Sequence, residues 1–186
     1  MTLTFITSNA SKAKELGRHL EYPVEHRALD LLEIQSLDLQ EIAKHKAKEA
    51  YKQVQCPVLV EDTSLMFRAL GNLPGPLIKW FLQELDNEGL CRLLDGAEDR
   101  SAQAKVCFCL YDGKDFKIFE GEMNGTVAGL PKGERGFGWD PIFIPEGKTK
   151  TWGEMDAEEQ KETSMRRVAL KKLEEYLKGA SLAVLG

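Results

Sequence analysis

No stretch of this chain approaches the roughly 18 consecutive apolar residues of a membrane-spanning helix, so no span is expected. The first ten residues, Met1 to Ala10, lack the charged flank and apolar core of a secretory leader. Cysteine is scarce. Cys56, Cys91, Cys107 and Cys109 show no CxxC spacing, and His19, His26 and His45 do not accompany them. A zinc site or disulfide framework is therefore not expected; the pattern fits reduced thiols in a cytoplasmic protein. Positive charge is also short. A formal net charge of −5 provides no clustered Lys and Arg face for a nucleic-acid polymer. It leaves room for a small basic pocket around one anionic metabolite. There is no GxxxxGK[ST] run, so a P-loop kinase or ATPase is not supported. No repeat, low-complexity tract or linker divides the 186 residues, and a single domain spanning 1–186 is expected.

What is present is the composition of an ordinary folded chain, 42% hydrophobic and 30% charged, which disfavours disorder. Leu3 to Thr7 reads as a short buried strand, followed by a polar turn and a helix carrying Leu16 and Leu20. A second helix is predicted from near Asp38, with Leu39, Ile42, Ala43, Lys46, Ala47, Ala50 and Val54 in helical spacing, until Pro57 stops it. Val58-Leu59-Val60 is a compact apolar strand running into Glu61-Asp62-Thr63-Ser64. Gly71 to Pro76 reads as a tight loop, with short helices over Leu77 to Glu84 and Asn87 to Leu94. A hairpin pairs Lys105 to Leu110 with Phe116 to Glu122 around Asp112-Gly113. The Gly-rich stretch from Gly129 to Asp140 reads as a loop before Ile142-Phe143-Ile144. A last amphipathic helix carries Val168, Leu170, Leu173, Tyr176 and Leu177. Early βα units with a central hairpin predict an α/β fold on a mixed sheet.

Four places could carry chemistry. The turn Thr7-Ser8-Asn9-Ala10-Ser11-Lys12 offers exposed amide groups and a helix N-terminus to a phosphate, and Lys12 adds a full charge. The same residues also read as an ordinary capped helix with a surface lysine. Glu61 and Asp62, at the end of an apolar strand, repel each other unless a cation compensates, which invites Mg²⁺. Alternatively they form a solvated turn in which Asp62 or Thr63 caps the next helix. Phe137-Gly138-Trp139-Asp140-Pro141 supplies aromatic faces and an edge acceptor for a base, or else a loop packed into the core. Ser164 reads as a helix N-cap that puts Arg166 in the first turn. There the dipole disfavours a cation unless an anion or a purine O6 answers it; the plainer reading is a solvated basic turn.

Taken together and in order, from Phe5 to about Tyr176, these segments resemble the inosine triphosphate pyrophosphatase family. Val58 to Thr63 followed by Ala69 to Pro76, and Ile78 to Leu82, are similar to its eukaryotic members. The resemblance implies an elongated mixed β-sheet with flanking helices forming two lobes around an active-site cleft, in a homodimer. It implies cleavage of ITP, dITP or XTP to monophosphate and pyrophosphate with Mg²⁺, Mn²⁺ being the alternative cation. By position, Thr7, Ser8, Asn9 and Lys12 would cradle the triphosphate. Glu33 and Asp62 would hold the metal, while Asp62, with Lys12 and Glu61, would serve catalysis. Phe137, Gly138, Trp139, Asp140, Lys161, Ser164 and Arg166 would bind the base, Arg166 by reading its 6-oxo group. The chain departs from the family pattern twice. Met165 stands where the family has His, and Gln160 stands where it has a base-contacting Lys, with Lys161 one residue later. These departures keep two other readings open: a nucleotide-binding sensor or partner-binding protein with weakened catalysis, and a pyrophosphatase with relaxed base choice.

Overall fold

Leu3–Ile6 are all buried and form β1 of the computed structural model, which describes residues 3–8, 12, 13, 16, 20 and 23–183, without the side chains beyond 179. A strand covered on both faces belongs inside a parallel array. β1 has parallel neighbours on both sides, β2 (Val24–Arg27) and β3 (Val58–Phe67), with Phe5 opposite His26 and Leu59. Parallel strands need a crossover. Helix α1 (Leu39–Val54) lies in the connection from β2 to β3. The Asp38 carboxylate caps its start by accepting from the Gln40 and Glu41 amides, and Gln55 ends it in a left-handed conformation. Its buried face, Leu39, Ala43, Ala47 and Ala50, packs on Ile6, Val58, Val60, Cys107 and Cys109. Each fully covered Leu or Ile here contributes about 1.5–3 kcal/mol of transfer free energy. All four cysteines are free; burial pushes the Cys109 thiol up to about 12 and raises Cys107 as well, which keeps both protonated.

β3 is longer than its apolar core. It runs through Glu61 and Asp62 to Phe67, where a 3₁₀ turn over Arg68–Leu70 leads to a two-residue antiparallel strand, β4 (Pro74–Gly75), inside the expected loop. Helix α2 (Ile78–Arg92) is broken at Asp86, with φ 54° and ψ −178°, so the two short helices predicted there exist as two helical segments. β5 (Ser101–Tyr111), β6 (Phe116–Val127) and β7 (Phe143–Pro145) complete a mixed seven-stranded sheet in the order β2-β1-β3-β5-β6-β7, with β4 on β3. Helices α3 (Ala157–Thr163) and α4 (Met165–Ala183) follow. On α4 the buried positions include Met165, Arg166, Ala169, Leu170, Leu173 and Leu177; Val168 and Tyr176 lie exposed, which corrects the predicted face.

The chain groups into two compact units. One comprises residues 1–62, 106–121 and 166–186, the other 63–105 and 122–165. No described helix is long and apolar enough to cross a membrane.

Candidate active site

The pleat of β3 decides what its two adjacent carboxylates do, since successive side chains leave opposite faces of a strand. Both were expected at a strand end and instead lie within it, so neither caps a helix. Glu61 is buried, at 3% exposure, and Asp62 is half-buried. Each meets its own cations, all in the first unit. The Arg166 guanidinium donates from Nε and Nη2 to Glu61 Oε1, at 2.9 and 2.7 Å, and Lys12 Nζ stands 3.4 Å from the same oxygen. Lys46 Nζ lies 2.7 Å from Glu33 Oε1 and 3.6 Å from Asp62 Oδ2. Three cations and three carboxylates from five segments of the sequence thus form one charged cluster.

Its electrostatics follow from burial. Desolvation alone would raise the Glu61 pKa; Arg166 and Lys12 outweigh it and hold the carboxyl below its ordinary value. Desolvation likewise works against the Lys46 ammonium, yet Asp62, Glu33 and Glu61 together raise its pKa above the usual lysine value. Both groups are therefore ionised at neutral pH. Glu61 Oε2 is buried with no hydrogen-bond partner among the described residues, an acceptor still owed a donor or a cation.

Sequence reasoning had Lys12, Glu33, Glu61, Asp62 and Arg166 as site residues and missed Lys46. The signal was present: Lys46 shares the inner stripe of α1 with Ile42 and Ala50, where an ordinary lysine is unexpected. Thr7 donates its amide to the Arg27 carbonyl (3.2 Å), Ser8 is exposed, and Asn9 lies outside the described residues.

The remaining predicted residues belong to the second unit. Trp139 is buried in an aromatic group with Phe143 and Trp152, centroids 5.9 and 5.6 Å away. Asp140 Oδ2 accepts from the Phe137 amide at 2.8 Å and closes the loop around Gly138, whose φ is +65°. Gly136 permits that closure: a Cβ there would come within 2.0 Å of Asp140 Oδ2. Ser164 sits between α3 and α4 with extended backbone, as a residue ahead of a helix should. Gln160 donates from Nε2 to the Trp152 carbonyl at 2.7 Å, and Met165 is buried. Lys161 pairs with Glu158 one turn back on exposed α3.

The donor set fits magnesium. Glu33 and Asp62 reach one cation, the Lys46 ammonium, from different elements, so their oxygens address a common point. Mg²⁺ takes one or two carboxylates and completes its shell with water and phosphate oxygens. Among the described residues no group of three or more His, Cys, Asp or Glu side chains is arranged to hold a metal ion by itself.

Comparison with known proteins extends over the same chain. The sequence profile of the Ham1 family matches residues 3–176. The fold is similar to that of the Ham1 protein of Staphylococcus aureus, at 25% identity and a TM-score of 0.85, covering 97% of this chain and 100% of that one. It is similar to a HAM1 protein from Coxiella burnetii, at 26% identity and TM-score 0.86, with 96% and 99% covered. A nucleoside-triphosphatase or dITP/XTP pyrophosphatase from Mycobacterium abscessus matches at 28% identity and TM-score 0.76, over 93% and 98% of the two chains.

Proposed function

The chain belongs to the Ham1 family, the inosine triphosphate pyrophosphatases that its motifs resemble, and from that premise we propose that it hydrolyses aberrant purine nucleoside triphosphates. Water attacks between the α- and β-phosphates of ITP, dITP or XTP; one anhydride bond breaks, and the products are the nucleoside monophosphate and pyrophosphate. The observation that carries this reading is the cluster of Lys12, Lys46 and Arg166 with Glu33, Glu61 and Asp62. A triphosphate brings several negative charges. Lys12 and Lys46 answer them, and Glu33 and Asp62 hold Mg²⁺, which when bound withdraws charge from the phosphate oxygens. Asp62, half-buried and 3.6 Å from the Lys46 ammonium, orients the attacking water. Glu61 anchors Lys12 and Arg166. Arg166 donates from Nε and Nη2 to Glu61, which holds in place the guanidinium that would read a purine O6 acceptor. Adenine would present an amino donor there and leave polar atoms unpaired. The same reading carries a homodimer working in the cytoplasm.

The base loop is where this chain departs. Gln160 spends its amide on Trp152 and Met165 is buried, so neither replaces a charged base contact. Measuring kcat/KM for ITP, dITP, XTP, ATP and GTP with Mg²⁺ tests the proposal. We expect the 6-oxo, non-guanine bases to lead ATP by about a hundredfold, the scale of a mispaired polar group. Equal values across the panel would establish relaxed base choice, and binding without turnover would establish a sensor.

A further inference from the structure

The Gly136–Asp140 loop is tied to its own flanks by backbone bonds. Lys132 donates to the Pro141 carbonyl at 2.9 Å and Arg135 to the Gly153 carbonyl at 3.0 Å. One further bond comes from a different element. Asn87, on α2 and 51 residues away, donates from Nδ2 to the Gly138 carbonyl at 2.9 Å. The cavity beside that contact, about 650 Å³ and lined by Leu82, Leu85, Asn87, Pro131 and Gly138, shows that the turn is not packed solid on the α2 side. A Cβ on Gly138 would touch only Leu82, at 3.9 Å.

Two features of Asn87 set it apart from a residue chosen for helix stability. Its Oδ1 is buried with no hydrogen-bond partner among the described residues, an unsatisfied acceptor that opposes folding. It also directly follows Asp86, whose φ of 54° and ψ of −178° are nearly confined to glycine. The strained break restarts the helix at Asn87 and brings its amide to the loop. Resting on the pyrophosphatase reading, we infer that Asn87 is a positioning residue: it holds the Gly138 turn in the shape that receives the base, and thereby sets substrate affinity and base preference.

The test uses Asn87→Asp, which keeps the shape but cannot donate to a carbonyl, and Asn87→Leu, which removes the donor without adding charge. In both, amide hydrogen exchange over residues 136–140 should accelerate. KM for ITP should rise about tenfold, the size of one lost hydrogen bond, with kcat within twofold and a reduced ITP-to-ATP ratio. A purely structural role would lower the melting temperature without splitting KM from kcat. Wild-type KM and base ratio in either active variant overturns the inference alone. A wild-type chain that releases no pyrophosphate from any nucleotide overturns the pyrophosphatase reading, and this inference with it.

Discussion

Glu61 has its only described partners, Arg166 and Lys12, on one oxygen, and that makes it the most consequential single side chain. Removing its charge takes a buried anion away from a buried guanidinium and a nearly buried ammonium, which costs on the order of 3–5 kcal/mol. Glu61→Gln should therefore lower unfolding free energy by about that amount in urea titrations. The pH dependence has a definite sign. The folded pKa of Glu61 lies below its ordinary 4.5. Its contribution is thus fully present above that value and is lost as pH falls through the lowered one. Wild-type stability should drop in that acid window and the variant's should drop less; parallel acid limbs would contradict the pairing. At this scale the sequence was informative in kind and silent in arrangement. The acidic pair announced a cation, but which cation served which carboxylate depended on the pleat of β3 and on the inward course of Lys46 from α1. Arg166 was anticipated as a base reader from its place in the first turn, whereas its bond to Glu61, 105 residues away, has no local signature.

Among the elements, those with strong periodic or capping signals were legible: α1 with its Asp38 cap, the two segments of α2, the strands around Asp112-Gly113, and β7 ending at Pro145. β2 was missed because Val-Glu-His-Arg has no apolar alternation; as an edge strand it is exposed at three of four positions. α3 was missed because Ala157–Thr163 is mostly charged, although Asp156 and Glu159 form the capping box that should have signalled it. β3 was cut short because polar residues in a strand read as its end. The break in α2 yields a prediction of its own. Asp86 occupies backbone space that glycine takes without a steric cost. Asp86→Gly should stabilise the chain by about 1 kcal/mol, read as a raised melting temperature, with the Asn87 contact kept. A lower melting temperature would mean that the carboxylate does something at the break beyond tolerating it.

Over the whole molecule, the parallel order β2-β1-β3 brings together residues that are far apart in sequence. Lys12 follows β1, Glu33 precedes α1, Lys46 lies on α1, the carboxylate pair is on β3, and Arg166 opens α4. The likeness to Ham1 structures extends over nearly the entire chain, so the cluster sits in a fold shared from end to end. Asp62 is the residue whose loss should separate chemistry from stability: it is half-buried, and Lys46 keeps Glu33 when Asp62 is neutralised. The decisive measurement is pyrophosphate and IMP release from ITP with Mg²⁺ by the wild-type chain and by Asp62→Asn. Equal amounts of the two products are expected from the wild type. A loss of about 10²–10⁴-fold is expected in the variant, with its thermal melt unchanged. Orthophosphate as the product, or a variant that keeps wild-type turnover, would contradict the account.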